Sequence, residues 1–432
     1  MEATPAARTL AISSHASTLE VTASAAHAAA DAVQADLGSE RPDLVLAFFG
    51  SSHVPHAELL GSIVRERLSP RCLVGVSAEG VIAGPSEFER AGSGLTLFAA
   101  VLPGARVVAF HTDDLPPPDD GDEAKAALAA AMGLQPNARG VLLFTEPASV
   151  ALSQLVPAMG RAATNAGGVL LGGVASADRA VGNRLILNDR IVDAGGVGVT
   201  LDGGFVIDAS VSQGTVPIGP NLLVTRARGG MIFELGGKPA IDAVRESLNE
   251  LDGERKERLT GGLFIGRVVD EYRDRFGRGD FVMRKITGVR PEEGAIVLDD
   301  VFRTGQTVRL HVRDAKSAHE DLQMVMAQQQ LKGRPAGGLL ISCQSRGQRL
   351  FPVPNHDAEM VCRAFAPPTA GEARAKGGRA IEPGEPQTIP LGGFFASAEI
   401  GPSHGESHVH GQTAVLAMFR DVTEAAPSGW LP

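Results

Sequence analysis

LVLAFFG (44–50), HAELLGSIVRERL (56–68) and CLVGVSAEGVI (72–82) follow one another along the chain. The first is a compact apolar run bounded by turn residues, the signature of a buried strand. The second places apolar residues at helical intervals, and the third is an apolar run entering a glycine-containing turn. Strand, helix and strand in this rhythm indicate a βα layer and an α/β fold. Upstream, STLEVTASAAHAAADAVQADLG (17–38) is alanine-rich, helically spaced and closed by a glycine stop. Downstream, GLTLFAAVL (94–102) and ARVVAFHT (105–112) are closely spaced strands, which adds an antiparallel component.

DDLPPPDDGDEA (113–124) is an acidic, proline-rich loop that holds neither a strand nor a helix interior. A helix over 124–133, a strand over 140–146, a helix over 151–166 and a strand over 169–176 follow. From 184 to 211 the pattern turns to short β runs, and the turn signals NDR (188–190) and LDGG (201–204) predict hairpins. A boundary falls near 219–237, before a helix over 239–250 with Pro239 at its start. The second half reuses the same alphabet: strands at 262–269, 280–289, 295–301 and 304–312, a helix at 317–331, and the buried strand GGLLISC (337–343). Residues 366–390 are rich in Pro, Gly, Ala and Arg without periodicity; they read as a mobile loop, either a tolerated surface insertion or a lid. The expected fold is α/β, with mixed parallel and antiparallel sheets flanked by helices. Its two related halves, 40–220 (with the helix 17–38 attached) and 221–422, pack as one unit. No fixed-period repeat is visible, which excludes a solenoid.

The chain has 432 residues, enough for large cores. A net charge of −10 and an aromatic content of 4% exclude a nucleic-acid surface, which needs basic stripes and stacking rings. The cysteines, Cys72, Cys343 and Cys362, are an odd and sparse set without C-x-x-C, suited to a reducing cytoplasm rather than to a disulfide framework. The N-terminus lacks a basic start followed by an apolar core, and the apolar runs are too short for a membrane helix. The chain reads as soluble and cytoplasmic, with no nucleic-acid or membrane partner.

Several strand ends carry chemistry. Cys343 leaves a buried strand and enters the turn Gln344-Ser345-Arg346-Gly347; a thiol beside a guanidinium is a ligand contact, a candidate nucleophile or a small buried hydrophobe. Asn355-His356-Asp357 either caps a helix starting near Ala358 or presents His356 and Asp357 to a pocket beside Arg346. Asp314 is placed to start the next helix, and Arg313 beside it suits a carboxylate. Gly392-Gly393-Phe394-Phe395 leads to Glu399, a carboxylate in an apolar run that needs a partner if buried, with Arg313, Arg346 or a ligand amine expected. Ser77 and Glu79 put a hydroxyl and a carboxylate in the first glycine turn, which is not the G-x-S-x-G of a hydrolase elbow. GGVLLGG (167–173) matches neither GxGxxG nor a P-loop. His404, His408 and His410 have zinc-like spacing, but two of them lie in a Gly-Ser loop, and no metal or other cofactor is assigned.

The run HVRDAKSAHEDL, PAGGLLISCQSRG, PNHD, LGGFFASAEIGP and HGQT, together with LVGVSAEGVI (73–82), LLGGVASAD (170–178) and VSQGTVPIG (211–219), resembles the FIST family over about residues 40 to 420. Gln344-Ser345 stands where Asn-Gly is commoner in that family. The resemblance implies an N-terminal and a C-terminal half, a small-molecule pocket and a sensory role in intracellular signal transduction. The expected ligand is an amino acid or similar zwitterion, and an unidentified signalling protein reads it out. The candidate ligand contacts are Ser77, Glu79, Arg313, Asp314, Cys343, Arg346, Gly347, His356, Asp357, Gly392, Gly393, Phe394, Glu399 and His410. Two alternatives stay open. One is a cysteine-dependent enzyme using Cys343 with His356 or His410 as base. The other is a protein-interaction scaffold, since eukaryotic relatives carry an F-box, although no F-box-like helical segment precedes residue 40.

Overall fold

The computed structural model describes residues 8–89, 92–251, 253, 256, 262–273, 275–366 and 388–422. Most of the 366–390 segment therefore lies outside the described residues. Among the described residues the chain forms three units of like connectivity, with a β-barrel inserted in the third. The first unit runs β1 (Ala11–Ser17), α1 (Thr22–Leu37), β2 (Leu44–Phe49), α2 (Ala57–Leu68), β3 (Cys72–Ser77), the hairpin β4 (Val81–Ala83) and β5 (Ser86–Phe88), and β6 (Leu95–Val101). The second repeats it: β7 (Arg106–His111), α3 (Asp122–Ala131), β8 (Gly140–Thr145), α4 (Leu152–Asn165), β9 (Leu170–Val174), the hairpin β10 (Leu185–Leu187) and β11 (Arg190–Val192), and β12 (Gly196–Asp202).

The third unit begins with β13 (Phe205–Gln213). The barrel then intervenes: β14 (Thr215–Arg228), β15 (Met231–Leu235), β16 (Lys238–Pro239), α5 (Ala240–Asn249), β17 (Leu263–Val268), β18 (Phe281–Arg290), β19 (Ala295–Leu298) and β20 (Thr307–Arg313). The unit resumes with α6 (Ala315–Gln330), β21 (Gly337–Cys343), α7 (His356–Ala364), β22 (Leu391–Ala396), the hairpin β23 (Glu399–Ser403) and β24 (Glu406–His410), and β25 (Thr413–Asp421). In the barrel the order β14-β20-β17-β18-β19-β15 closes on itself through β14–β15 pairing. Closure leaves few free edges and encloses a separate core around Ile218, Phe302 and Leu310.

The three main sheets share one order: first strand, last strand, second, third, and then a hairpin lent by another unit. The first unit lends β4–β5 to the third sheet, the second lends β10–β11 to the first, and the third lends β23–β24 to the second. Within each sheet the second and third strands are parallel, β2 with β3, β8 with β9 and β21 with β22. A parallel pair needs a long crossover, and α2, α4 and α7 provide it. β2 shows why these strands read as unbroken apolar runs. Leu44, Leu46 and Phe48 point into a core shared by all three sheets, while Val45, Ala47 and Phe49 face α1 and α2. At the centre each sheet supplies one ring: Phe48, Phe144 and Phe394, with centroids 5.2 to 6.0 Å apart.

Three local expectations change. The helix expected over 17–38 begins at Thr22, because Ala11–Ser17 pairs antiparallel with β6 along its whole length. β6 and β7 do not pair; the turn at Pro103-Gly104 carries the chain from the first sheet to the second. LDGG does the same between β12 and β13 instead of making a hairpin, and Gly204 N donates to Pro103 O at 2.8 Å, tying the two linkers together. NDR does close a hairpin, β10–β11. Residues 219–237, the expected boundary region, comprise most of β14, all of β15 and the turns beside them.

Candidate functional site

The ends of the third strands converge beside the phenylalanine triad, where the three units bond to one another. Ser176 N donates to Ser77 O (3.2 Å), and Ser397 N donates to Val174 O (3.1 Å). The third link runs through a hydroxyl: Glu79 N donates to Ser176 Oγ (3.0 Å), which donates to Phe395 O. Glu79, Ser176 and Ser397 thus come together where the three units join. They open onto a cavity of about 880 Å³ whose lining also includes Ser51, Glu146, Asp178 and Gln344. All three units contribute to it. Glu79 is held by Arg349, whose Nη1 lies 3.0 Å from Oε2. Glu146 Oε2 and Asp178 Oδ1 each accept a single backbone N–H, from Ala148 and Ala180 (both 2.8 Å), so each keeps acceptor capacity. Arg179 and Asn183 complete the polar lining.

A second cavity of about 480 Å³ adjoins the first and shares Pro147, Gln344 and Ser397 with it. It lies between the barrel, which supplies Phe264, Met283, Arg284 and Lys285, and the three-unit body, which supplies Cys343, His410 and Gln412. Polar contacts hold the barrel to this body, among them the ion pairs of Arg278 with Glu320 and Asp321. Arg284 Nη1 donates to Val409 O (3.0 Å), Gln213 Nε2 to Phe281 O (3.0 Å) and Ser403 Oγ to Gly279 O (2.9 Å). A groove of about 510 Å³ between α3 and α4 contains none of the motif residues.

The 344–351 loop connects these parts. Arg346 within it is fully buried and grips Asp357 with two bonds, 2.7 and 3.0 Å. Burial alone would raise the Asp357 carboxyl, but the Arg346 guanidinium holds it well below the usual carboxylate range. Asp357 also accepts from His356 Nδ1 (2.9 Å); the His356 ring stacks on Phe351, and its Nε2 bonds His319. Arg313, at the end of the barrel's last strand, donates to the carbonyls of Ser345 and Arg349 and so clamps the loop. Asp314 caps α6, accepting from Ser317 N at 3.0 Å. Gly347 sits at φ +55, and Gln348 N donates to both oxygens of Glu89 at 2.9 Å. A Cβ on Gly347 would overlap that carboxylate.

The carboxylate expected to pair with Arg313 or Arg346 does otherwise. Glu399 is fully buried and accepts from Thr413 N (3.1 Å) and Oγ1 (2.7 Å), and burial pushes its carboxyl up to about 8. Cys343 lies beside it; burial, and then the neighbouring Glu399, push the thiol up to about 12. Its sulfur accepts from Ser345 Oγ at 2.9 Å. Neither imidazole proposed as a base bonds this thiol: His356 is committed to Asp357 and His319, and His410 Nε2 bonds Gly401 O at 3.1 Å. A protonated thiol without a base is a poor nucleophile.

The structure therefore separates the residues expected to form one site. Glu79 lines the larger cavity, and Cys343 and His410 line the smaller. Arg346, Asp357 and Glu399 are buried behind them. Phe394 belongs to the central ring triad, Gly392 packs on Phe98 and Ser14, and a side chain on Gly393 would overlap Leu340 O. Ser77 Oγ donates to Asn183 Oδ1 (3.2 Å) and accepts from Arg184 N (3.0 Å), holding the lent hairpin. His404 pairs with Asp280 at 2.6 Å, and among the described residues no three potential metal ligands converge. Ser51, Glu146, Ser176, Asp178 and Ser397 were not singled out from the sequence, and Gln344 was noted there only as part of the turn after Cys343. A signal for some of them was there: Ser77-Ala78-Glu79, Ser176-Ala177-Asp178 and Ser397-Ala398-Glu399 repeat one tripeptide pattern, each at the end of a third strand.

The FIST N domain profile matches residues 43–238 and the FIST C domain profile residues 240–402. An uncharacterized protein of Mycobacterium tuberculosis (strain ATCC 25618 / H37Rv) is 34% identical over 406 residues, covering 93% of this chain and 97% of that one. An uncharacterized protein of Mycobacterium bovis is 33% identical over 404 residues, covering 93% of this chain and 96% of its own length. A crystal structure of cyanuric acid hydrolase from A. caulinodans shares 11% identity at a TM-score of 0.29, over 95% of this chain and 99% of that one, too loose a likeness to carry an argument. No helix among the described residues is long and apolar enough to cross a membrane. FIST domains are regarded as sensory domains of signal transduction. With both domain profiles matched in order across most of its length, the chain belongs to the FIST family.

Proposed function

We propose that this protein is a small-ligand sensor that binds an amine-bearing polar metabolite, an amino acid or similar zwitterion, in the cavity where its three units meet. The observation that carries this reading is the lining of that cavity by Glu79, Glu146 and Asp178, with hydroxyls from Ser176 and Ser397 between them. Carboxylates with unused acceptor sites in a partly enclosed cleft favour a cationic amine. Arg179 offers a guanidinium to a ligand carboxylate. The arginines first expected in that role, Arg313 and Arg346, act one step back by fixing the loop that carries Gln344.

Binding becomes a signal only if it biases two states. The barrel's position beside Gln344 and Ser397 gives an occupied cavity a means of acting on it, and a separate signalling protein would read the change. A thermal-shift screen against amino acids and amines tests the reading. Ligand at about 100 times its dissociation constant adds about 2.7 kcal/mol. A hit lost in Glu146→Gln supports the site. The absence of any hit, or a hit indifferent to both Glu146→Gln and Ser397→Phe, refutes it.

A further inference from the structure

We propose that the ligand is a short peptide, or a peptide-like conjugate, with a free amino terminus, rather than a single free amino acid. This rests on the sensor reading above. The two cavities, about 880 and 480 Å³, meet at Pro147, Gln344 and Ser397. The larger offers the carboxylates of Glu79, Glu146 and Asp178, and the smaller sets Phe264, Met283, Val150 and Leu152 beside the charged Arg284, Lys285, Asp299 and Asp300. Clefts of about 300–1,000 Å³ enclose drug-sized ligands. A free amino acid with its amine at Glu146 or Asp178 would leave the smaller compartment, with Phe264 and Met283, to water. A ligand of two or three residues can place its amine among the carboxylates and an apolar side chain against Met283.

The junction between the compartments suits a peptide bond. The Gln344 side-chain amide lines both cavities and makes no hydrogen bond within the described residues, and it offers a donor and an acceptor together. Gln412 lies in the smaller compartment with its amide weakly placed, 4.0 Å from Cys343 Sγ. A peptide spanning the junction would touch the three-unit body with its amine and the barrel with its side chain. It would therefore bridge the two parts that a sensor must couple.

Isothermal titration of the full chain with Ala-Ala-X tripeptides, the same peptides N-acetylated, and the matching free amino acids tests the proposal. The expected result is a tripeptide binding at least tenfold more tightly than its free amino acid, with acetylation costing at least tenfold. Gln344→Leu and Met283→Glu should each weaken the tripeptide by a larger factor than the amino acid. Free amino acids binding as tightly as any tripeptide, or acetylation without effect, overturns the peptide proposal and leaves the sensor reading standing. No binding by either class, in a protein whose circular dichroism shows it folded, overturns both.

Discussion

Replacing Asp357 with Asn removes one charge from a pair that is closed to water on all sides. Arg346 and Asp357 are both fully buried, joined by bonds of 2.7 and 3.0 Å, and Arg346 Nη1 already has no hydrogen-bond partner among the described residues. The substitution preserves size but leaves a guanidinium in the interior without its counter-charge. Removing one partner of a buried pair costs about 3–5 kcal/mol, because the remaining charge keeps its desolvation penalty. His356 Nδ1 and Ser342 Oγ lose a charged acceptor as well, which adds to the cost. Removing both charges is different: Arg346→Met with Asp357→Leu trades the pair for packing, and such exchanges are often neutral or stabilising. Guanidinium denaturation followed by circular dichroism is therefore expected to show Asp357→Asn at least 3 kcal/mol below wild type and the double variant above the single. A loss under about 1 kcal/mol for Asp357→Asn, or a double variant worse than the single, would refute the reasoning that a desolvated pair holds this loop.

Gly393→Ala is expected to cost more than about 4 kcal/mol or to abolish soluble expression, since its Cβ would overlap Leu340 O; Gly405→Ala, in open space at φ +79, should cost only about 1 kcal/mol in the same melt. For Glu399, whose folded carboxyl is raised from 4.5 to about 8, the folded protein keeps a proton that the unfolded chain releases between those values. Its contribution to stability therefore falls as pH rises through that window, and Glu399→Gln should flatten the decline in melting temperature from pH 5 to 8, with an unchanged slope counting against the assignment. Iodoacetamide at pH 7.5 should leave Cys343 unlabelled in the folded protein and label it fully in denaturant, because burial keeps the thiol protonated; rapid labelling of the folded protein would restore the nucleophile reading.

Much of the layer structure was legible in the sequence because central strands buried on both faces give unbroken apolar runs, as in LVLAFF and GGLLISC. Helix starts were legible where a side chain caps them, as at Asp314. What escaped is long-range. Nothing local distinguishes a Gly-Gly turn that closes a hairpin from one that hands the chain to another sheet, and Asp202-Gly203-Gly204 does the latter. Hairpin exchange among the three units links residues far apart in sequence, so their threefold likeness is clear only once strand order is known. The barrel hides it further by separating β13 from α6.

The site was half legible for the same reason. Residue chemistry pointed to Arg346, Asp357 and Glu399 as reactive or ligand-facing, but charge alone does not say whether a group faces a cavity or a buried partner. Here each found protein partners, the first two in each other and Glu399 in Thr413. Among the groups that do line the cleft, Ser176, Ser397 and Gln344 are uncharged residues of ordinary type, and the carboxylates Glu146 and Asp178 lie in turns that nothing local marks out. Only the convergence of strand ends gives them significance.

One cleft, built jointly by the FIST N and FIST C portions, is proposed here to bind a small amine-bearing ligand. Titration calorimetry of the best hit from the amine and peptide panel against wild type, Glu146→Gln (from the N portion) and Gln344→Leu (from the C portion) tests it most directly. Each variant alone should weaken binding at least tenfold with little change in melting temperature. Full-strength binding in either variant would contradict a shared cleft.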